Sequence, residues 1–201
     1  MARTTIEAWL VGMAAVLTAA GCEAAKLSPG DAAPAWAGIV GTDDKPHGLA
    51  DYAAAKLIVL VFTCNHCPVA QGYEDRLLAL QQDYRAKGVQ VVAVNVNNNS
   101  ADRLEPMKKR AAEKKFNFPY LYDPTQKMGR DYGATQTPHV FVLGGDRAIA
   151  YVGAIDDNLD VKGVKEHYLR DALDALLAGN KPAKAVTQQF GCGIQYEAEK
   201  K

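Results

Sequence analysis

Six apolar residues run without a polar break from Leu57 to Phe62, the pattern of a strand buried on both faces. Apolar positions then recur at helical spacing from Val69 to Lys87, which predicts an amphipathic helix. Val89 to Val96 is rich in β-branched residues and predicts a second strand. Ser100 reads as the cap of a helix reaching about Phe116, with Asp102 complementing its N-terminus. Pro106 falls in its early turns and implies either a kink or a start later than Ser100. Further on, Pro119–Asp123 predicts a short strand, Thr125–Tyr132 a helix stopped at Gly133, and His139–Leu143 another strand. Gly144-Gly145-Asp146 has the chemistry of a hairpin turn, returning the chain antiparallel through Arg147–Val152. A last helix is expected from Val161 to Leu177, closed by Gly179-Asn180.

Strands alternating with helices, then a hairpin and a final helix, make an α/β domain with a central mixed sheet flanked by helices. The expected organisation is a leader over 1–22, a linker over 23–33, one domain over 34–180 and a tail over 181–201 containing Cys192. Arg3 precedes an almost uncharged stretch from Ala8 to Gly21 that ends in small residues before Cys22. That has the form of an export signal, of the lipoprotein type if Cys22 is acylated. The expectation is therefore a periplasmic or cell-envelope protein, with membrane attachment only through a lipidated Cys22. The 201 residues carry 23 basic and 23 acidic side chains, a formal net charge of zero, and no long basic run. Sequence-independent nucleic-acid binding needs a cationic face, so that partner class is set aside.

Cys64 and Cys67 stand in a C-x-x-C at the junction between the buried strand and the first helix. A sulfur there meets the unpaired N–H groups of a helix start, which stabilise a thiolate. A zinc knuckle would need a second Cys or His pair at comparable spacing, and the sequence has none. The reading is a redox dithiol, with Cys64 as nucleophile, Cys67 as resolving thiol and His66 as a donor beside the Cys64 sulfur. No bound organic cofactor is implied beyond a redox-active disulfide; the partner is a protein dithiol or disulfide, or a small thiol.

The motifs Phe62-Thr63-Cys64-Asn65-His66-Cys67-Pro68, Phe118-Pro119-Tyr120-Leu121, Tyr151-Val152-Gly153-Ala154-Ile155-Asp156-Asp157 and Gly191-Cys192-Gly193-Ile194 occur in this order. With Thr137-Pro138, they resemble a bacterial peroxiredoxin-like, thioredoxin-family group of the redoxin (AhpC/TSA) superfamily. The resemblance implies a thioredoxin-like fold with the peroxiredoxin-type helix–strand insertion. It also implies a cis peptide at Thr137-Pro138, facing the dithiol and offering the Thr137 backbone to a substrate chain. The implied function is an exported thiol–disulfide oxidoreductase.

Three points qualify the implied chemistry. Peroxiredoxins resemble one another in P-x-x-x-T-x-x-C; aligning Cys67 with their reactive cysteine puts Leu60 in place of Pro and Cys64 in place of Thr. A thiol peroxidase is thus the second reading, with Arg130 its one candidate for the accompanying arginine. No acidic residue lies within 57–62, where thioredoxins keep a proton acceptor, which leaves Asp156 or Asp157 as the candidate acceptor or as plain solvated loop. Cys192 is an odd thiol: a third redox partner if the tail folds back over its flanking glycines, a buried Cys, or an intermolecular link. A third reading, a copper carrier, would use Cys64, Cys67 and His139.

Overall fold

The computed structural model describes residues 26–198. The leader and Cys22 lie outside the described residues. Thirteen regular elements follow in the order β1 (Ile39–Gly41), β2 (Pro46–His47), β3 (Leu57–Phe62), α1 (Pro68–Tyr84), β4 (Val89–Asn95), α2 (Leu104–Lys114), β5 (Tyr120–Tyr122), α3 (Lys127–Asp131), β6 (Gln136–Thr137), β7 (His139–Leu143), β8 (Ile149–Gly153), α4 (Tyr168–Leu177) and β9 (Cys192–Gly193), with short 3-10 turns between some of them. Seven strands form one mixed sheet in the order β2-β1-β5-β4-β3-β7-β8, the thioredoxin-like arrangement with an added α2–β5 segment.

β3 sits inside this sheet, parallel to β4 and antiparallel to β7, and all six of its residues are buried. That is why its sequence lacks the polar alternation of a strand with one wet face. Leu57, Val59 and Val61 point to the face covered by α1 and α4, against Tyr73, Leu77, Leu80, Leu169 and Leu173. Ile58, Leu60 and Phe62 point the other way, against Met128, Tyr132 and Phe141. The register pairs Phe62 with His139, so the strand ends that launch the Cys64–Cys67 loop and receive Thr137-Pro138 lie side by side.

Two helices start later than their sequence suggests. α2 begins at Leu104, not Ser100, and Pro106 occupies its third position. The first N–H groups of a helix have no intrahelical acceptor, so a proline there removes nothing. α4 begins at Tyr168. Upstream, Val161–Gly163 makes a single 3-10 turn capped by Asp160, and the Asp157 carboxylate takes the N–H groups of Lys165 and Glu166 before the helix can start. Among the described residues, no helix is long and apolar enough to cross a membrane.

Candidate redox site

Cys67 is the N-cap of α1: its sulfur accepts the Ala70 N–H at 3.4 Å, and Pro68 follows at the first helical position. Its covalent partner is Cys192, 125 residues away, with the two Cα atoms 5.9 Å apart. The expected Cys64–Cys67 pairing is therefore wrong: the disulfide is Cys67–Cys192, and Cys64 is a free, buried thiol. Cys192 instead meets the expectation of a tail thiol that folds back onto the site.

The tail reaches Cys67 because it is pinned on both sides of Cys192. Upstream, the Thr187 N–H donates to the Val152 carbonyl at 3.0 Å, and the Thr187 hydroxyl lies 2.6 Å from the Tyr151 hydroxyl. Phe190 then packs edge-on against Tyr73. β9 pairs antiparallel with β6, putting Cys192 opposite Thr137. Downstream, the Gln195 N–H donates to Asn97 Oδ1 at 3.2 Å and the Tyr196 hydroxyl to the Ala134 carbonyl at 2.7 Å. Gly191 has φ of 156°, and a side chain there would collide with the Thr137 carbonyl. Glycine is needed for so close a backbone approach.

The Thr137–Pro138 peptide is cis, as the resemblance implied. It faces both sulfurs of the loop. The Thr137 hydroxyl lies 3.1 Å from Cys64 Sγ, and the Thr137 carbonyl lies 3.3 Å from Cys67 Sγ. A disulfide sulfur has no proton, so the second approach is a packing contact that becomes a hydrogen bond on reduction.

Cys64 is poorly suited to the nucleophilic role read from its position. Burial pushes its thiol up to about 11, the Thr137 hydroxyl opposes that rise, and the Asp102 carboxylate adds to it. At neutral pH it is a thiol, and a thiol does not attack. The His66 ring is turned to another partner, its Nδ1 donating to the carboxylate of Asp102; what His66 offers the Cys64 sulfur is its backbone N–H, which with that of Cys67 opposes the rise without reversing it. Asp102 was read as a helix-end charge; it is instead wholly buried and holds the whole loop. Its Oδ1 accepts the Asn65 N–H at 2.6 Å, the His66 N–H at 3.3 Å and Asn95 Nδ2 at 3.1 Å. The Tyr120 hydroxyl adds a bond to Asn65 Oδ1 at 3.0 Å. The signal that could have located this anchor is the asparagine cluster Asn95, Asn97, Asn98 and Asn99 at the carboxyl end of a central strand, where α/β sheets place their sites.

Cys64, His66 and Asp102 offer ligand atoms within 4.8 Å of one another, the one such potential metal-ligand group among the described residues. The carboxylate is already filled by these N–H donors, so this donor set fits a hydrogen-bonded anchor better than a metal. The copper set Cys64, Cys67 and His139 is not assembled: Cys67 is tied to Cys192, and His139 packs on Phe141. Arg130, the candidate peroxidase arginine, stacks over the Tyr196 ring and donates to the Glu197 carbonyl. Asp156 accepts from Tyr73 (2.8 Å) and Arg76, and Asp157 caps the turn before α4; neither bonds to a cysteine.

A family model described as Redoxin matches residues 28–168. An uncharacterized conserved protein from Geobacillus kaustophilus is 34% identical, with a TM-score of 0.80 over 87% of this chain and 95% of its own. A hypothetical protein from Sinorhizobium meliloti is 27% identical, also with a TM-score of 0.80, over 87% of this chain and 98% of its own. The thioredoxin domain of a thiol–disulfide oxidoreductase from Bacteroides vulgatus shares the fold at 19% identity, with a TM-score of 0.55 over 63% of this chain and 89% of its own. No curated protein matches the chain.

Proposed function

Because the chain belongs to the Redoxin family, we propose that it is a thiol-based oxidoreductase whose redox couple is the Cys67–Cys192 disulfide and its dithiol. The observation that carries this reading is the unequal setting of the two sulfurs. Cys67 is fully buried at the start of α1, whereas Cys192 is partly exposed on the tail. An incoming thiolate from a partner therefore attacks Cys192. Its sulfur bonds to Cys192 Sγ, the Cys67–Cys192 bond breaks, and the electron pair leaves on Cys67 Sγ. The Ala70 N–H and the positive end of α1 receive that thiolate, which makes Cys67 the better leaving group. A second partner thiol then attacks the mixed disulfide and releases Cys192. The protein disulfide is thereby reduced to a dithiol, and the partner's two thiols become a disulfide. The reverse direction uses the same steps, with Cys192 as the attacking thiolate.

Because the tail is held by bonds on both sides of Cys192, the reduced thiols stay close together. That gives a high effective concentration for re-forming the disulfide. The leader read from residues 1–22 suits this chemistry, since disulfides persist in oxidising compartments outside the cytoplasm.

Reduction of insulin disulfides by the dithiothreitol-reduced protein tests the assignment. Cys67→Ser should accumulate a mixed disulfide on Cys192, visible by mass spectrometry, and Cys192→Ser should lose turnover by at least ~100-fold. Cys64→Ser should retain turnover. Full activity in Cys192→Ser would sink the proposal.

A further inference from the structure

Among the described residues, four large apolar side chains stand exposed: Val40, Leu159, Val161 and Val186. Two of them, Leu159 (40% exposed) and Val161 (67%), share the loop between β8 and α4. Leu159 rests directly on the backbone of α1 at Gly72: a Cβ there would stand 2.7 Å from Leu159 Cδ1, so glycine is what admits it. One turn earlier on the same helix face is Val69, partly exposed. Like Cys192, it packs against the cluster of Cys64, Cys67 and Ala70. Phe190, two residues before Cys192, packs on Tyr73, the neighbour of Gly72. An apolar strip thus runs from the Cys67–Cys192 disulfide along the first turns of α1 to Leu159 and Val161.

The loop is held in this position. Arg76, one turn beyond Gly72, stacks over the Tyr73 ring at 4.4 Å. Its guanidinium donates to the buried Asp156 carboxylate at 2.5 Å, to the Asn158 carbonyl at 2.7 Å and to the Leu159 carbonyl. The main chain is therefore tied to α1, while the side chains of Leu159 and Val161 stay at the surface. Apolar residues scattered singly over a surface need no explanation, but a continuous apolar strip beside a reactive group marks a contact surface. The exchange steps already bring a partner to it, because the partner's sulfur must come within bonding distance of Cys192.

We propose, on the strength of the exchange reading of Cys192, that this strip docks the redox partner, a protein whose reactive cysteine lies in an extended segment flanked by apolar side chains. Gly72 is five residues beyond Cys67, about 7.5 Å along the helix axis. An extended chain covers that distance in about two to three residues. The partner side chain that meets Leu159 therefore stands at the second or third position from its cysteine. Covering Leu159 and Val161 removes apolar surface from water on both molecules, which favours the encounter that precedes exchange.

Two capped, uncharged peptides test this, one with leucine and one with serine at the second and third positions on either side of a single cysteine. Each is added in excess to the oxidised protein, and the initial rate of mixed-disulfide formation on Cys192 is read by mass spectrometry. The leucine peptide should react ~10-fold faster. The double variant Leu159→Ser with Val161→Ser should bring that ratio close to one. Val40→Ser, at an exposed apolar position on β1, should leave the ratio as it is in the unaltered protein. Equal rates for the two peptides, or a preference that the double variant retains, would overturn the proposal. Equal rates together with a dimer that the double variant dissociates would give the strip to a second copy of this chain instead. The small thiol 2-mercaptoethanol, which has no flanking residues, separates the two assignments. If it opens the disulfide at Cys192 while the peptides show no preference, the docking surface alone fails. If it forms no bond to Cys192, the redox assignment fails and the docking surface with it.

Discussion

Cys64 and Cys67 stand in one tetrapeptide, yet their surroundings give them opposite chemistry. Cys67 lies where α1 begins, with an N–H donor at its sulfur and a tail cysteine bonded to it. Cys64 lies before the helix, buried between the Thr137 hydroxyl and the field of the Asp102 carboxylate. A displacement of three residues thus separates a sulfur that can leave as a thiolate from one held as a thiol. What counts is which partial charges and which partners each sulfur meets, and the spacing of a motif does not state either.

The largest test of this contrast is stability. The disulfide closes a loop with a sequence separation of 125, and chain-entropy reasoning assigns about 4–5 kcal/mol to such a cross-link. Cys192→Ala should lower denaturant stability by that order, whereas Cys64→Ala should cost about 1–2 kcal/mol as a small buried truncation. Equal losses would erase the distinction. Next comes the anchor of the loop: Asp102→Ala strands several buried N–H donors and should cost about 3 kcal/mol. Asp102→Asn should cost less and, by removing the negative charge, lower the Cys64 pKa.

A pH series sharpens the comparison further. A thiol raised to about 11 stays protonated below that value, so alkylation of Cys64 by iodoacetamide should rise about tenfold per pH unit up to about pH 11. At pH 8 the rate should be about a hundredfold below that of the unfolded protein. A plateau near pH 8 would show that the Cys64 site does not suppress its thiolate. The smallest expected effect is at Gly191: Gly191→Ala must displace the tail from Thr137, costing about 1–2 kcal/mol. It should slow re-oxidation of Cys67 and Cys192 without changing the Cys64 alkylation profile.

Much of the fold was legible in the sequence because burial leaves a periodic mark. The unbroken apolar run of β3, the amphipathic α1, the hairpin between β7 and β8, and the cis proline implied by the motif set all match the structure. The late starts of α2 and α4 were less legible, since local carboxylates and Pro106 compete with helix propensity over a few residues. Asp102 was misread for a related reason. Its position beside a helix start is local information, whereas its partners Asn65, His66 and Asn95 come from two other segments.

By itself the sequence determined the α/β layering, the strand-to-helix seat of the cysteine motif and the close approach permitted by Gly191. The tertiary structure alone decided which sulfurs pair, which thiol is silent, and that Leu159 comes to lie against α1. Periodicity is written into neighbouring residues, but a disulfide, a carboxylate's field and an apolar strip each join segments far apart in the chain. Their energies exist only after the sheet has brought those segments together.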